Sequence, residues 1–175
     1  MYSIRLVVFA ILLCVTCGFS RYIETQTVNL ICKMLPCNPP EMLVGKFCAA
    51  MEDNDVNGDG RVDGTDIGAD LLNYNFDDDP CIVEEWEVVA RWTCRYGYSK
   101  EYGAYMYKQF DVNQNGRVTA GDFITLNFTN ADFLMAQYTR FKNAYCGDPK
   151  NRESPVDKMQ CDEVDKLKPA DIKCT

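Results

Sequence analysis

The sequence predicts an all-α fold stapled by disulfides, and three observations carry that reading. Apolar residues recur at helical spacing in a series of segments between Glu41 and Tyr145. No stretch of period-two alternation is long enough to argue a sheet. Eight cysteines remain once a short apolar leader is set aside, an even count that fits a disulfide framework.

The leader comes first. Arg5 supplies a positive start, Leu6–Val15 is an unbroken run of ten apolar residues, and Thr16-Cys17-Gly18-Phe19-Ser20 is mostly small. Ten apolar residues fall short of the ~20 that span a bilayer, so residues 1–20 read as a signal peptide cleaved after Ser20 rather than as a buried strand. No later stretch approaches membrane-spanning length. The mature chain is therefore expected to be secreted, extracellular and free of the membrane. Cleavage removes Cys14 and Cys17 and leaves cysteines 32, 37, 48, 81, 94, 146, 161 and 174. Four disulfides and no free thiol are expected, in one of 105 pairings that sequence does not choose among. Zinc would need closely paired Cys or Cys/His ligands, and the chain has no histidine.

The helices follow in order. Pro39-Pro40 suits a first turn, and Glu41–Asn54 places Leu43, Phe47, Ala50 and Met51 on one face. A second helix spans about Thr65–Tyr74, with Ile67, Leu71 and Leu72. Asp77-Asp78-Asp79-Pro80 breaks the chain and reads as a solvated acidic turn. Ile82–Arg95 forms a third helix with Ile82, Trp86, Val89 and Ala90 facing inward, ending at Gly97. Ser99 caps a fourth, Lys100–Phe110. A short helix starts at Ala120, and Thr129-x-x-Asp132 resembles a capping box for a last helix, Ala131–Tyr145. Residues 147–175 are polar and charge-mixed, and Cys161 and Cys174 are expected to tether them to the body.

Between the helices lie two acidic loops. The chain carries a formal charge of −8, which disfavours nucleic acid and anionic lipid and favours cations. Calcium takes six to eight oxygens, which a twelve-residue loop supplies from positions 1, 3, 5, 7, 9 and 12 around a glycine at 6. In the first loop, Asp55–Asp66, these are Asp55, Asn57, Asp59, the Arg61 carbonyl, Asp63 and Asp66, with Gly60 at the turn. In the second, Asp111–Asp122, they are Asp111, Asn113, Asn115, the Arg117 carbonyl, Thr119 and Asp122, with Gly116 at the turn. The two align without a gap, with Val62 and Val118 both at position 8.

These segments resemble the EF-hand family over roughly Glu41–Asn75 and Ser99–Asn130. The resemblance implies two calcium sites and paired helix–loop–helix units, with the loops side by side through Val62 and Val118. The Ile82–Arg95 helix then becomes an insertion packed outside the pair and held by Cys81 and Cys94. Three features depart from the family pattern. Position 12 is Asp in both loops, where Glu is commonest, which weakens calcium and relatively helps magnesium. Asn54 precedes the first loop, where the family prefers an aromatic residue such as Phe110. The loops also start 56 residues apart. Four carboxylates in the first loop against two in the second rank the first as tighter.

The organisation expected is thus a signal peptide at 1–20, an EF-hand-pair domain at 21–146 and a tethered tail at 147–175. The function implied is a secreted calcium-binding protein, a structural component of an extracellular or calcified matrix, whose partners are calcium ions, matrix proteins or mineral. The Asp55–Leu72 stretch also resembles dockerin modules, which gives a calcium-dependent protein-binding module as the alternative. A calcium-dependent secreted enzyme comes third, since no histidine and no nucleophile or phosphate motif supports chemistry. Asn127-Phe128-Thr129 is a glycosylation sequon, and Tyr98, Tyr102 and Tyr105 read as core rather than as cross-linking tyrosines.

Overall fold

A computed structural model describes residues 39–74, 76 and 82–174. The expected signal peptide, Cys32, Cys37, Cys81 and Asp77–Asp79 lie outside the described residues. The helices are α1 (Leu43–Asn54), α2 (Gly64–Tyr74), α3 (Glu85–Tyr96), α4 (Lys100–Phe110), α5 (Asn130–Thr139) and α6 (Pro155–Lys166). Short 3-10 turns occupy Ala120–Phe123, Pro149–Arg152 and Pro169–Asp171. Two three-residue strands, β1 (Arg61–Asp63) and β2 (Asn127–Thr129), pair antiparallel. The chain is mostly helical, as expected, and among the described residues no helix is long and apolar enough to cross a membrane.

Helices α4 and α5 start where the sequence supplies a cap. The Ser99 hydroxyl accepts from the Tyr102 amide at 3.0 Å, and the Thr129 hydroxyl accepts from the Asp132 amide at 3.2 Å, as the sequence predicts. The face expected of α1 is the one buried: Leu43, Phe47, Ala50 and Met51 all belong to the core. The last predicted helix is divided, because Arg140–Tyr145 continues α5 as a π-helical segment.

Two expectations about packing are corrected. Helix α3 is no external insertion. Its stripe of Val88, Trp92 and Tyr96, spaced four residues apart, is fully buried; of the expected face Ala90 is buried, while Ile82, Trp86 and Val89 are half-exposed. The Trp92 ring lies 5.2 Å from Tyr96, 5.5 Å from both Tyr98 and Tyr102, and 6.2 Å from Phe110. Aromatic pairs at such spacings add to their area burial, so the largest side chain of the region becomes the hub of the core. Helices α3 and α4 approach closely: a Cβ on Gly103 would lie 2.9 Å from the Val89 Cα.

The second correction concerns residues 147–175. Rather than a loose polar tail, they contain α6, which buries Asp157, Gln160, Cys161 and Val164. Its carboxylates satisfy groups on the body: Asp157 accepts from the Ser99 hydroxyl at 2.6 Å, and Glu163 from the Leu43 amide at 2.8 Å at the start of α1. Polarity misled here because these side chains serve as caps for other helices. Disulfides join Cys48 to Cys174 and Cys146 to Cys161.

A cluster of charges ties α1 to α3. The Arg95 guanidinium donates to both oxygens of Asp53 at 2.9 Å, Arg91 and the Tyr96 hydroxyl donate to its Oδ2, and Arg91 also reaches Asp70 at 3.2 Å. Burial alone would raise the Asp53 pKa, but the hydrogen bond from Arg95, the charge of Arg91 and the Tyr96 hydroxyl outweigh it and hold the carboxyl below its usual range. A depressed folded-state pKa gives stability that is complete above the unfolded value of ~4 and is lost as pH falls through the folded value. Asp53→Asn is therefore expected to cost about 2 kcal/mol at pH 7 and to flatten the loss of stability below pH ~4. Urea melts of both proteins between pH 2 and 7 check this; identical pH profiles would refute it.

Candidate metal centre

Loop 1 folds around its own carboxylates. Asp55, the first residue after α1, accepts from the Asp59 amide through Oδ1 and from the Gly60 amide through Oδ2, both at 3.1 Å. Asn57 Oδ1 takes the Asp59 amide at 2.8 Å, and Asp59 Oδ1 the Arg61 amide at 2.9 Å. Asp66, buried in the first turn of α2, reaches back to the amides of Asn57 and Asp63, both at 3.2 Å. Oxygens of Asp55, Asp59 and Asp66 thereby lie within 4.8 Å of one another.

Loop 2 repeats this arrangement bond for bond. Asp111 accepts from the amides of Asn115 and Gly116, Asn113 Oδ1 from Asn115, Asn115 Oδ1 from Arg117, and Asp122 from Asn113 and Thr119. Each donor and acceptor is the counterpart, 56 positions on, of one in loop 1. The backbone turns in the same places as well. Gly60 and Gly116 have φ of +86° and +78°, values that glycine adopts without the Cβ clash other residues meet. Position 4 also has positive φ, at Gly58 (+71°) and Gln114 (+57°), so Gln114 carries a conformational cost that glycine avoids in loop 1.

The loops differ in what their side chains offer a cation. Three carboxylates converge in loop 1. The fourth expected there, Asp63, uses Oδ1 to cap α2, accepting from the Thr65 amide at 2.7 Å and the Asp66 amide at 3.4 Å. Those two amides hold its carboxyl below the usual range. In loop 2 both Asp122 oxygens take side-chain donors from the loop itself, Oδ1 from Asn113 Nδ2 at 2.7 Å and Oδ2 from the Thr119 hydroxyl at 3.1 Å. A cation entering loop 2 must displace these donors. Arg61 and Arg117 stand at position 7, where the backbone carbonyl is the group available.

The loops do not bridge each other. Val62 pairs with Phe128 in the β1–β2 ladder, and Val118 pairs with Val83. Both valines are nevertheless fully buried in one shared core. The expected Val62–Val118 contact is thus replaced by two separate bridges, each to the segment that leads into another helix. Three residues are too few for alternation to signal a strand, so sequence gave no cue to either partner.

That pairing adds residues the loop pattern did not reveal. Asn130, the first residue of α5, donates from Nδ2 to Asp55 Oδ2 at 2.8 Å and from its amide to the Gly60 carbonyl at 3.0 Å. Asn127 accepts from the Arg61 guanidinium. Both touch loop 1 across more than 60 positions, and only the fold brings them there. Asn127 is exposed on β2, not in a helix. No protein family, no curated protein and no solved structure matches this chain.

Proposed function

We propose that this is a secreted, EF-hand-type calcium-binding protein in which the metal acts as a structural staple. The observation that carries the reading is the bond-for-bond repeat of the two loops. Each carries Asp, Asn and Asp or Asn at positions 1, 3 and 5, closed by an Asp at 12, in the same hydrogen-bonded turn, and in loop 1 three of the carboxylates converge. An acidic surface turn has no reason to reproduce ten or so matched donors and acceptors twice in register, whereas a hard cation needing six to eight oxygens does. The disulfides among the described residues, with the leader expected at residues 1–20, support an oxidising, calcium-rich compartment. There an affinity of ~10⁻⁴–10⁻³ M keeps the loops filled. A structural role in an extracellular or mineralised matrix fits the acidity of the chain.

Calorimetric titration of the secreted chain tests this, alongside thermal melts with and without a chelator. Two calcium ions per chain are expected. At 100 times the dissociation constant, each filled site adds about 2.7 kcal/mol to stability. Absence of binding heat together with a melting temperature indifferent to chelation would defeat the reading.

A further inference from the structure

Between the exits of the two loops lies a cavity of about 170 Å³. Its walls are apolar and largely aromatic, built from Ile67, Leu71, Phe110, Phe123, Phe128 and Phe133. Cavities of this size lined by such residues stay dry and admit a benzene-like guest. Two polar atoms of its lining, the Tyr74 hydroxyl and the Trp92 indole nitrogen, are buried without a hydrogen-bond partner among the described residues. Asp70 is paired with Arg91, and Asp122 is engaged within loop 2. Arg140 is the one cation among the lining residues. It is half-buried, and no hydrogen bond or ion pair holds its guanidinium among the described residues.

Arg140 also marks a change in the helix. The chain passes there from α5 into the π-helical segment, in which the Cys146 amide reaches the Phe141 carbonyl five residues back. Such wide turns occur frequently at functional sites. An apolar chamber with Arg140, a cation held by no partner among the described residues, in its lining matches an anionic amphiphile: rings seated among phenylalanines, and a carboxylate paired in the two-pronged geometry that arginine favours.

We propose that this cavity binds a small aromatic carboxylate, with its apolar body between α2 and α5 and its carboxylate on Arg140. The site goes beyond calcium binding: its proposed contacts are apolar side chains and Arg140, although Asp122 of loop 2 also lines the cavity. The probe is 2-naphthoate, titrated into the calcium-loaded full chain by calorimetry and by NMR, with neutral 2-naphthalenemethanol as the comparison. Saturable 1:1 binding of naphthoate is expected, at least tenfold tighter than that of the alcohol. Arg140→Gln should weaken naphthoate tenfold or more and leave the alcohol unchanged. Ala136→Phe, which puts a ring into the cavity wall, should abolish both. Circular dichroism melts of each variant verify that it is folded, and calcium titration reads the metal sites separately. No saturable binding, naphthoate affinity unchanged in Arg140→Gln, or binding that survives Ala136→Phe would each overturn the proposal.

Discussion

Asp55→Ala is expected to eliminate the tighter calcium site, and Asp111→Ala only the weaker. Asp55 does two jobs in loop 1. In the proposed function it offers carboxylate oxygens to the cation, and those same oxygens hold the amides of Asp59 and Gly60, so its loss would remove a ligand and loosen the turn that aims the others. An effect on the order of 100-fold or more on that site follows from the dependence of affinity on ligand charge. Loop 2 has the same scaffold but two carboxylates instead of three convergent ones. Its Asp122 must also release Asn113 Nδ2 and the Thr119 hydroxyl, and Gln114 holds positive φ at a cost. Asn130→Ala supplies an intermediate case: it leaves every expected ligand in place but frees Asp55 Oδ2 from its outer partner, and should weaken the tighter site on the order of tenfold. Calorimetric titrations of the three variants give the order directly. Loss of the tighter site in Asp111→Ala would reverse the ranking.

The parts of this molecule legible in its sequence are those specified by neighbours in the chain. Helices α1, α2 and α4 fall where spacing, Pro39-Pro40 and Ser99 put them, within two residues. The loops were legible for the same reason, since their hydrogen bonds span two to nine residues. What escaped was set by distant partners. Nothing around Val62 names Phe128, and nothing around Asp55 names Asn130. Helix α6 escaped because its buried Asp157 and Gln160 count as solvated in any reading of hydropathy, although Ser99 donates to the one and the Gly97 carbonyl accepts from the other across some 60 positions. The inward face of α3 was misassigned for a subtler reason. Val88 and Val89 are adjacent, either can begin an apolar stripe, and only the position of Trp92 in the assembled core decides between them.

That decision has a measurable consequence. Trp92→Ala is expected to cost about 3–5 kcal/mol, the range for truncating a buried tryptophan. The ring is 2 % exposed and meets four aromatic neighbours contributed by α3, the α3–α4 bend and α4. No neighbour can follow the lost ring: Tyr102 also packs on Phe141 and Tyr145 at 4.9 and 4.7 Å, and the Cys146–Cys161 disulfide anchors that side. A cavity therefore persists, and its lining loses dispersion contacts. Set against a total stability of roughly 5–15 kcal/mol, this lowers the melting temperature by roughly 10–15 °C for a domain of this size. Trp86→Ala is the internal comparison. Trp86 lies six residues earlier on the same helix and is half-exposed, with its indole donating to Glu84 at 2.7 Å and its ring 6.2 Å from Phe76. Its removal is expected to cost about 1 kcal/mol. Circular dichroism melts of the two variants, disulfides intact, separate the alternatives. Equal losses would mean that α3 rests on the outside of the domain, whereas a threefold or larger difference places its Val88–Trp92–Tyr96 stripe at the centre.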